Sequence, residues 1–473
     1  MTTESFLSSL RAQTRKSRFD DAKQVNLLSD KETSPCMGDD GCSSALTLKG
    51  GKVVRFGEVC LPPSKSESNR ALMIAAYGGF APDFQNLSDS GDTMVLAKAL
   101  ESMSFQHGAA RGKESMLSKA IHKTQQGASI IDIADCGTAA RFLTTYLACH
   151  EGHWILTGTA RMKQRPVKPL VDALHVLGAE IQYVEQEGCL PLRIVGKSLS
   201  GGKVSIDMTQ SSQFASSLLL AAPMFPQGLE IELLGSLSSL PYLEMTLAMM
   251  CHFLAQVEKK GRTVIVTPQP YRKQSFTIEP DWTAASYWYE MAAFSEECEI
   301  KLHGLSVPST GLGTADSGTA DSGTAGSGTA NLQGDAIITE WMKLFGVCTT
   351  ALENGVLLTK MPFERRPLSF DFTNCPDLYP TMAATCAGLN VEANLTGLDN
   401  LALKESDRVV AMQTELAKLG NRPLRFCAHN DHRIVMALAP LSMKFGPVAF
   451  DHPEVVQKSY PDFWKDASFL SVY

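Results

Sequence analysis

The chain has 473 residues, 44% of them hydrophobic and 20% charged, with a formal net charge of −7. That length exceeds one small core and sets an expectation of two or three domains. The acidic balance disfavours a general role on nucleic acid or an acidic membrane, so any anion site must be a local concentration of basic groups.

The first segment, MTTESFLSSLRAQTRKSRF, lacks a hydrophobic signal core. Its Ser and Arg content leaves organelle transit open beside a cytoplasmic location. Residues 1–45 read as a disordered extension. The twelve cysteines, among them Cys36, Cys60, Cys136, Cys149 and Cys251, show no C-x-x-C pair and no metal-ligand spacing. They read as reduced, buried thiols, with no metal site. No apolar run approaches the length of a membrane span.

The first strong element is LPPSKSESNRALMIAAYGG, Leu61–Gly79. Ser64 or Ser66 is a natural N-cap, Ala71, Leu72, Ile74, Ala75 and Tyr77 form an apolar stripe, and Gly78 and Gly79 supply the stop. A helix N-terminus exposes unpaired N–H groups and positive potential. Lys65, Ser66 and Arg70 around that point make a cradle for phosphate or carboxylate.

Similar polar clusters follow along the chain. DCGTAARF opens a second helix at Gly137, and TGTARMKQRP brings Arg161, Lys163 and Arg165 together. TQSSQF sets Ser211, Ser212 and Gln213 before a third helix. NCPDLYPTMAA puts Asp377 between prolines ahead of another. NLALKESDRVVAM packs Lys404, Glu405, Asp407 and Arg408 at a helix start, and NDHRIVMALAP and VVQKSYPDF add His432, Arg433 and Lys458. Each alone fits an ordinary cap or a solvated charge run, with His432 an orienting or capping residue. Together they are a direct way to hold a polyanion.

Between the clusters a pattern recurs: a Leu/Ala/Met helix ending near Gly, then alternating apolar segments. VKPLVDALHVLGAEIQYV, ITEWMKLFGVCTTAL and SDRVVAMQTELAKLG are copies, and LEMTLAMMCHFLAQVEKKGRTVIV is a looser one. Repeats of this kind predict several copies of a βαβ-type unit in two lobes. Residues 311–331, GLGTADSGTADSGTAGSGTAN, form a low-complexity insert read as a flexible surface loop. The GKS at Gly196–Ser198 lacks the earlier glycine of a P-loop, since Pro191 occupies that position.

The order S-K-S-x-S-N-R, G-T-A-x-R, R-M-K-x-R-P, S-S-Q-F, Q-G-D, P-D, K-E-S-D-R, D-H-R and K-S-Y-P-D resembles the 5-enolpyruvylshikimate-3-phosphate (EPSP) synthase family from about Leu46 to Leu470. The resemblance implies an α/β, two-lobed fold in which each lobe has three βαβαββ units. It divides the chain into a lobe of residues 64–279 and a lobe of residues 46–63 plus 280–473, with crossings near Pro63 and Glu279–Asp281. It implies transfer of the enolpyruvyl group of phosphoenolpyruvate to the 5-hydroxyl of shikimate 3-phosphate, without metal or organic cofactor, by a cytoplasmic monomer. The implied catalytic residues are Asp377 as base on the hydroxyl, Glu405 for the C3 proton, and Lys65 bridging both substrates. Lys65, Ser66, Arg70, Ser211, Ser212, Gln213, Ser239, Asp377, Asn400 and Lys404 match the shikimate-phosphate site. Lys65, Gly137, Arg161, Gln213, Arg408, Arg433 and Lys458 match the phosphoenolpyruvate site.

Departures from the family pattern are Pro63 for glycine, Asp135-Cys136-Gly137 for N-A-G, Phe142 for proline and Leu240 for lysine. Only nine residues separate Gly420 from Asn430, so one hairpin is expected to be shortened or lost before Arg433. Two alternatives stand beside this reading: a catalytically impaired binding relative, and the sister transferase acting on UDP-N-acetylglucosamine. The second would carry a cysteine near TGTARMKQRP, where none occurs.

Deleting Thr314–Ala330 is expected to leave turnover and melting temperature nearly unchanged, because loop length costs only about 0.6 kcal/mol per doubling. Thermal melts and a turnover assay on the deletion variant check this.

Overall fold

The computed structural model describes residues 54–104, 122–123, 127–307, 332–470 and 472. The N-terminal extension (1–45) and the repeat insert (311–331) lie outside the described residues. No helix among those described is long and apolar enough to cross a membrane.

The recurring sequence pattern folds as a repeated unit. In one copy, strand Ser129–Asp132 leads into helix Gly137–Cys149, and strand Gly152–Thr157 returns parallel to the first. Helix Lys168–Val176 then precedes an antiparallel hairpin of Glu180–Tyr183 and Leu192–Gly196. The next copy repeats the order with strand Gly202–Asp207, helix Ser212–Ala221, strand Leu229–Leu234, helix Leu240–His252 and hairpin Val257–Lys260/Thr263–Val266. Alternation explains the strands: Leu229, Ile231 and Leu233 are buried, while Glu232 and Leu234 face out.

Two hydrophobic cores result. One runs from Ala71 to Ile278; the other joins Val59 and Leu61 to residues from Trp282 to Leu470. The crossings between them lie side by side. Pro63 bridges Pro280, the Ser64 N–H bonds the Glu279 carbonyl at 2.8 Å, and the Asp281 N–H bonds the Pro62 carbonyl at 2.9 Å. One strand is exchanged across this point. Val54–Val59 pairs in parallel with Glu297–His303 of the second core, in a sheet completed by Gly355–Lys360 and Val347–Leu352. Phe276–Thr277, just before the return crossing, pairs in parallel with Phe84–Gln85 inside the first core.

The second core also contains the pair Leu368–Asp371/Ala393–Thr396, followed by helix Arg408–Leu416. The expected loss of a hairpin is observed here. Between that helix and helix His432–Leu438 the chain forms a single short strand, Leu424–Phe426, which pairs in parallel with Val448–Phe450. The next unit therefore starts where a hairpin would otherwise stand, and Arg433 still enters the interior on its helix.

The first helix, Lys65–Gly78, has Ser64 as its cap and Gly79, at φ 64°, as its left-handed stop. Its apolar stripe is buried as expected, but Glu67, Ser68, Asn69 and Arg70 are buried too. The sequence shows one apolar face, whereas helices Gly91–Ser104, Gly137–Cys149, Ser212–Ala221 and Leu240–His252 all pack around this one. The thiols show another difference, since Cys60 and Cys251 are exposed rather than buried.

Polar side chains inside such packing need partners. The Glu67 carboxylate accepts the Glu279 N–H at 3.0 Å and the Gln333 amide at 2.9 Å. Gln333 also donates to the Pro280 carbonyl and accepts the Trp282 N–H, each at 2.9 Å. Burial pushes the Glu67 carboxyl up to about 8. These bonds brace the double crossing. Gln333→Ala strands several of these groups at about 1–3 kcal/mol each, so the unfolding free energy is expected to fall by about 2–5 kcal/mol. Denaturant titration reads the change.

Candidate active site

In parallel βαβ units, helix N-termini gather at the carboxyl ends of the strands. The seam between the two cores uses this geometry. From the first core come Lys65 and Ser66, Gly137 and Thr138, and Ser212 and Gln213 with the cap Ser211. The second core contributes Asp377, in a turn leading into helix Tyr379–Gly388, then Arg408 and Arg433. With Arg70, Ser239, Asn400, Lys404 and Glu405 they enclose a cavity of about 80 Å³.

Of the residues expected at the two substrate sites, Arg161 and Lys458 lie apart from this cavity. They line an adjoining space of about 650 Å³, which shares Asp92, Arg165 and Glu405 with the first. Arg161 does not face the central cavity because it is spent on the seam. Its guanidinium donates to the carbonyls of Glu405, Ala402 and Lys404 at 3.1, 3.0 and 2.8 Å.

Charge compensation dominates the centre. Arg408, 1% exposed, donates to Asp377 at 2.7 Å, Asp431 at 2.8 Å and Glu405 at 3.0 Å. Arg433 meets the other Asp377 oxygen at 2.7 Å, and Lys404 stands 3.7 Å away. Burial alone would raise the Asp377 carboxyl, yet Arg433, Lys404, Arg408 and Lys65 together hold it well below the usual range. Glu405 follows the same logic: burial opposes its charge, and Arg165, Lys458 and Arg408 outweigh burial. Both carboxylates are therefore ionised at neutral pH. Burial, then Lys65 and Arg433, hold the His432 imidazole well below its ordinary value, so it is neutral.

The first-core donors are set by local caps and close packing. Ser211 Oγ accepts the Gln213 N–H at 3.2 Å, and the Gln213 amide donates to Thr138 Oγ1 at 3.1 Å. Gly137 lets two guanidiniums approach its backbone closely. A Cβ there would stand 2.7 Å from an Arg165 nitrogen and 2.8 Å from an Arg141 nitrogen. The unusual Phe142 is buried, with the Arg70 guanidinium 5.8 Å from its ring centroid. Ser239 adopts φ 58° and donates its N–H across the seam to the Thr373 carbonyl at 2.8 Å.

Several lining residues were not singled out from sequence. Asp92 pairs with Lys65 at 3.0 Å, and nothing in SDSGDTM signals it. Arg165, visible only as one member of a basic cluster, reaches Glu405 at 3.5 Å and the Leu403 carbonyl at 3.1 Å. Tyr242 places its hydroxyl 3.4 Å from both Asp377 and Asp335. Asp335, within Q-G-D, is pushed up to about 7 by burial and then by Asp377. His432 is not a cap; Asp431 caps its helix, and neither imidazole nitrogen has a hydrogen-bond partner among the described residues.

The arrangement pairs ionised carboxylates on one side with anion donors on both. Arg408→Leu strips the fully buried Asp431 of its arginine and takes one cation each from Asp377 and Glu405, and breaking a buried pair costs about 3–5 kcal/mol. The unfolding free energy is expected to drop by that order, with partial recovery in Arg408→Lys, as read by denaturant titration at pH 7.

The family model described as EPSP synthase (3-phosphoshikimate 1-carboxyvinyltransferase) matches residues 49–423. A Bacteroides fragilis protein named 3-phosphoshikimate 1-carboxyvinyltransferase is 38% identical over 427 residues, covering 86% of this chain and 93% of its own. A Syntrophobacter fumaroxidans protein of the same name is 33% identical over 428 residues, covering 86% and 95%. Among solved structures, EPSP synthase from Acinetobacter baumannii superposes with a TM-score of 0.61 at 19% identity, covering 88% of this chain and 95% of that one. The structural likeness speaks for the fold, and the matched span and the identities carry the assignment: the chain belongs to the EPSP synthase family.

Proposed function

We propose that the seam carries out the transfer for which the family is named, joining the enolpyruvyl group of phosphoenolpyruvate to the 5-hydroxyl of shikimate 3-phosphate and releasing phosphate. The observation that supports this most is the hold of Arg408 and Arg433 on Asp377, each at 2.7 Å. Both guanidiniums suit a carboxylate or phosphate. When the carboxylate of phosphoenolpyruvate draws on them, Asp377 loses the cations that depress its proton affinity. It then becomes a stronger base toward the shikimate hydroxyl in the complex where a base is needed.

Glu405 serves the other proton. As the hydroxyl oxygen attacks C2 of the enolpyruvyl group, C3 gains a proton that must later leave with phosphate expulsion. Glu405 is ionised beside Arg165 and Lys458 in the free site. It takes up a proton as phosphoenolpyruvate draws on these cations, gives it to C3 during attack, and takes it back as phosphate leaves. Lys65, at the positive end of its helix, stabilises charge developing between the substrates. Ser66, Arg70, Ser211, Ser212, Ser239, Asn400 and Lys404 hold shikimate 3-phosphate. Gly137, Arg161, Gln213, Arg408, Arg433 and Lys458 hold phosphoenolpyruvate. The chemistry asks for no metal and no organic cofactor, and the reading has a cytoplasmic monomer working on two small anions.

Substrate pockets commonly occupy about 300–1,000 Å³. The central 80 Å³ is smaller, so the lobes (64–279 against 46–63 plus 280–473) open about the double crossing to admit substrates and close for chemistry. Closure of this kind excludes water from the reacting groups.

The test is phosphate release with both substrates present and with each omitted in turn. Asp377→Asn keeps the shape of the side chain and removes its basicity. Turnover is expected to fall about 10²–10⁴-fold, with shikimate 3-phosphate binding within several-fold of wild type. Lys458→Ala is expected chiefly to raise KM for phosphoenolpyruvate. Near-normal turnover in Asp377→Asn would remove it as the base.

A further inference from the structure

The Lys458 ammonium is already engaged. It donates to the Asp135 carboxylate at 2.5 Å and to the Asp135 carbonyl at 3.0 Å. Glu405 and Asp92 stand at 3.7 and 3.8 Å from the same nitrogen, and the lysine side chain is only 10% exposed. An ammonium has three N–H donors. Two are spent on a single residue, and the third faces carboxylates.

We infer that Asp135 sets the affinity for phosphoenolpyruvate by occupying Lys458, so that the substrate must displace this carboxylate to use that cation. The inference rests on Lys458 belonging to the phosphoenolpyruvate site. Asp135 is the acid able to give way. Glu405 and Asp92 are 10% and 5% exposed and are held by other cations: Glu405 by Arg165 and Arg408, Asp92 by Lys65. The Asp135 side chain is 43% exposed, and Lys458 is its cation. An exposed carboxylate gives up an ion pair at small cost because water replaces it.

The backbone keeps the lysine in place during the exchange. Asp135 follows Ala134, held at φ 51° with its N–H on Asp132 Oδ1 at 2.8 Å, and precedes Cys136, whose N–H bonds the Ile133 carbonyl at 3.0 Å. This tight turn fixes the Asp135 carbonyl on the ammonium while the carboxylate swings to solvent. Lys458 then stays positioned and regains a free direction for an anion.

The experiment is a steady-state cycle with Asp135→Asn, Lys458→Ala and the double variant, each with both substrates varied and with a melting curve. Asp135→Asn is expected to lower KM for phosphoenolpyruvate about two- to five-fold, with KM for shikimate 3-phosphate unchanged. In the Lys458→Ala background the same substitution is expected to do nothing. Glu454→Gln is the charge control, because Glu454 lines the same space yet pairs with His452 at 3.0 Å. An equal fall in KM with Glu454→Gln, or an Asp135→Asn effect that persists without Lys458, reduces the effect to net charge and overturns the inference. If Lys458→Ala raises KM while Asp135→Asn leaves it unchanged, the occupancy inference alone fails. A Lys458→Ala variant with unaltered KM overturns both this inference and the placement of Lys458 at the substrate.

Discussion

Helix N-termini from both halves of the molecule converge on one small cavity, and most of the arrangement follows from compensating the positive potential this creates. A site that attracts anions so strongly also repels its own basic side chains. The chain answers with carboxylates placed among them. Asp377, Glu405 and Asp431 surround Arg408, and Asp92 meets Lys65. Buried ion pairs of this kind add little net stability, since desolvation offsets their attraction. In the proposed reaction their value lies in exchange: an anionic substrate takes over cations already oriented for it, and each exchange alters the basicity of the carboxylate released.

The same seam explains why the site belongs to neither half. Arg161 and Arg165 of the first core end on carbonyls of residues 402–405 in the second. Ser239 and Tyr242 cross in the same direction, while Lys458 crosses back to Asp135. Small rotations about the paired crossing at 62–64 and 279–281 therefore make or break many polar contacts together. Under the proposed closure, positioning of the reacting groups and sealing of the cavity become one event.

Caps and motif spacing made much of this legible in the sequence. Ser64, Ser211 and Asp407 announce helix starts through local chemistry, and each caps the helix expected of it. The short stretch after Gly420 revealed a missing hairpin because a strand pair needs more residues than it contains. Partnerships between distant segments were not legible. The Asp92–Lys65 pair spans 27 positions and the Arg165–Glu405 pair 240, distances at which residue spacing says nothing about contact. The full burial of Glu67 and Arg70 was hidden for a related reason. Polar residues at a helix start read as solvent-facing until several other helices pack around them, and only then do Gln333, Thr246 and the Tyr242 carbonyl become their surroundings.

The exchanged strand carries a consequence for synthesis on the ribosome. Val54–Val59 emerges early, yet its parallel partner Glu297–His303 is translated more than two hundred residues later. Until then this strand has an unpaired edge, the kind of surface that invites wrong association. The first core meanwhile waits for Phe276–Thr277 to pair with Phe84–Gln85. Vectorial folding can thus complete the first core, whose last strand precedes the crossing at 279–281, while the opening strand still lacks its partner. The nascent chain must hold its opening strand in reserve until Glu297–His303 has emerged, which ties the start of the second half to a segment made before the whole of the first.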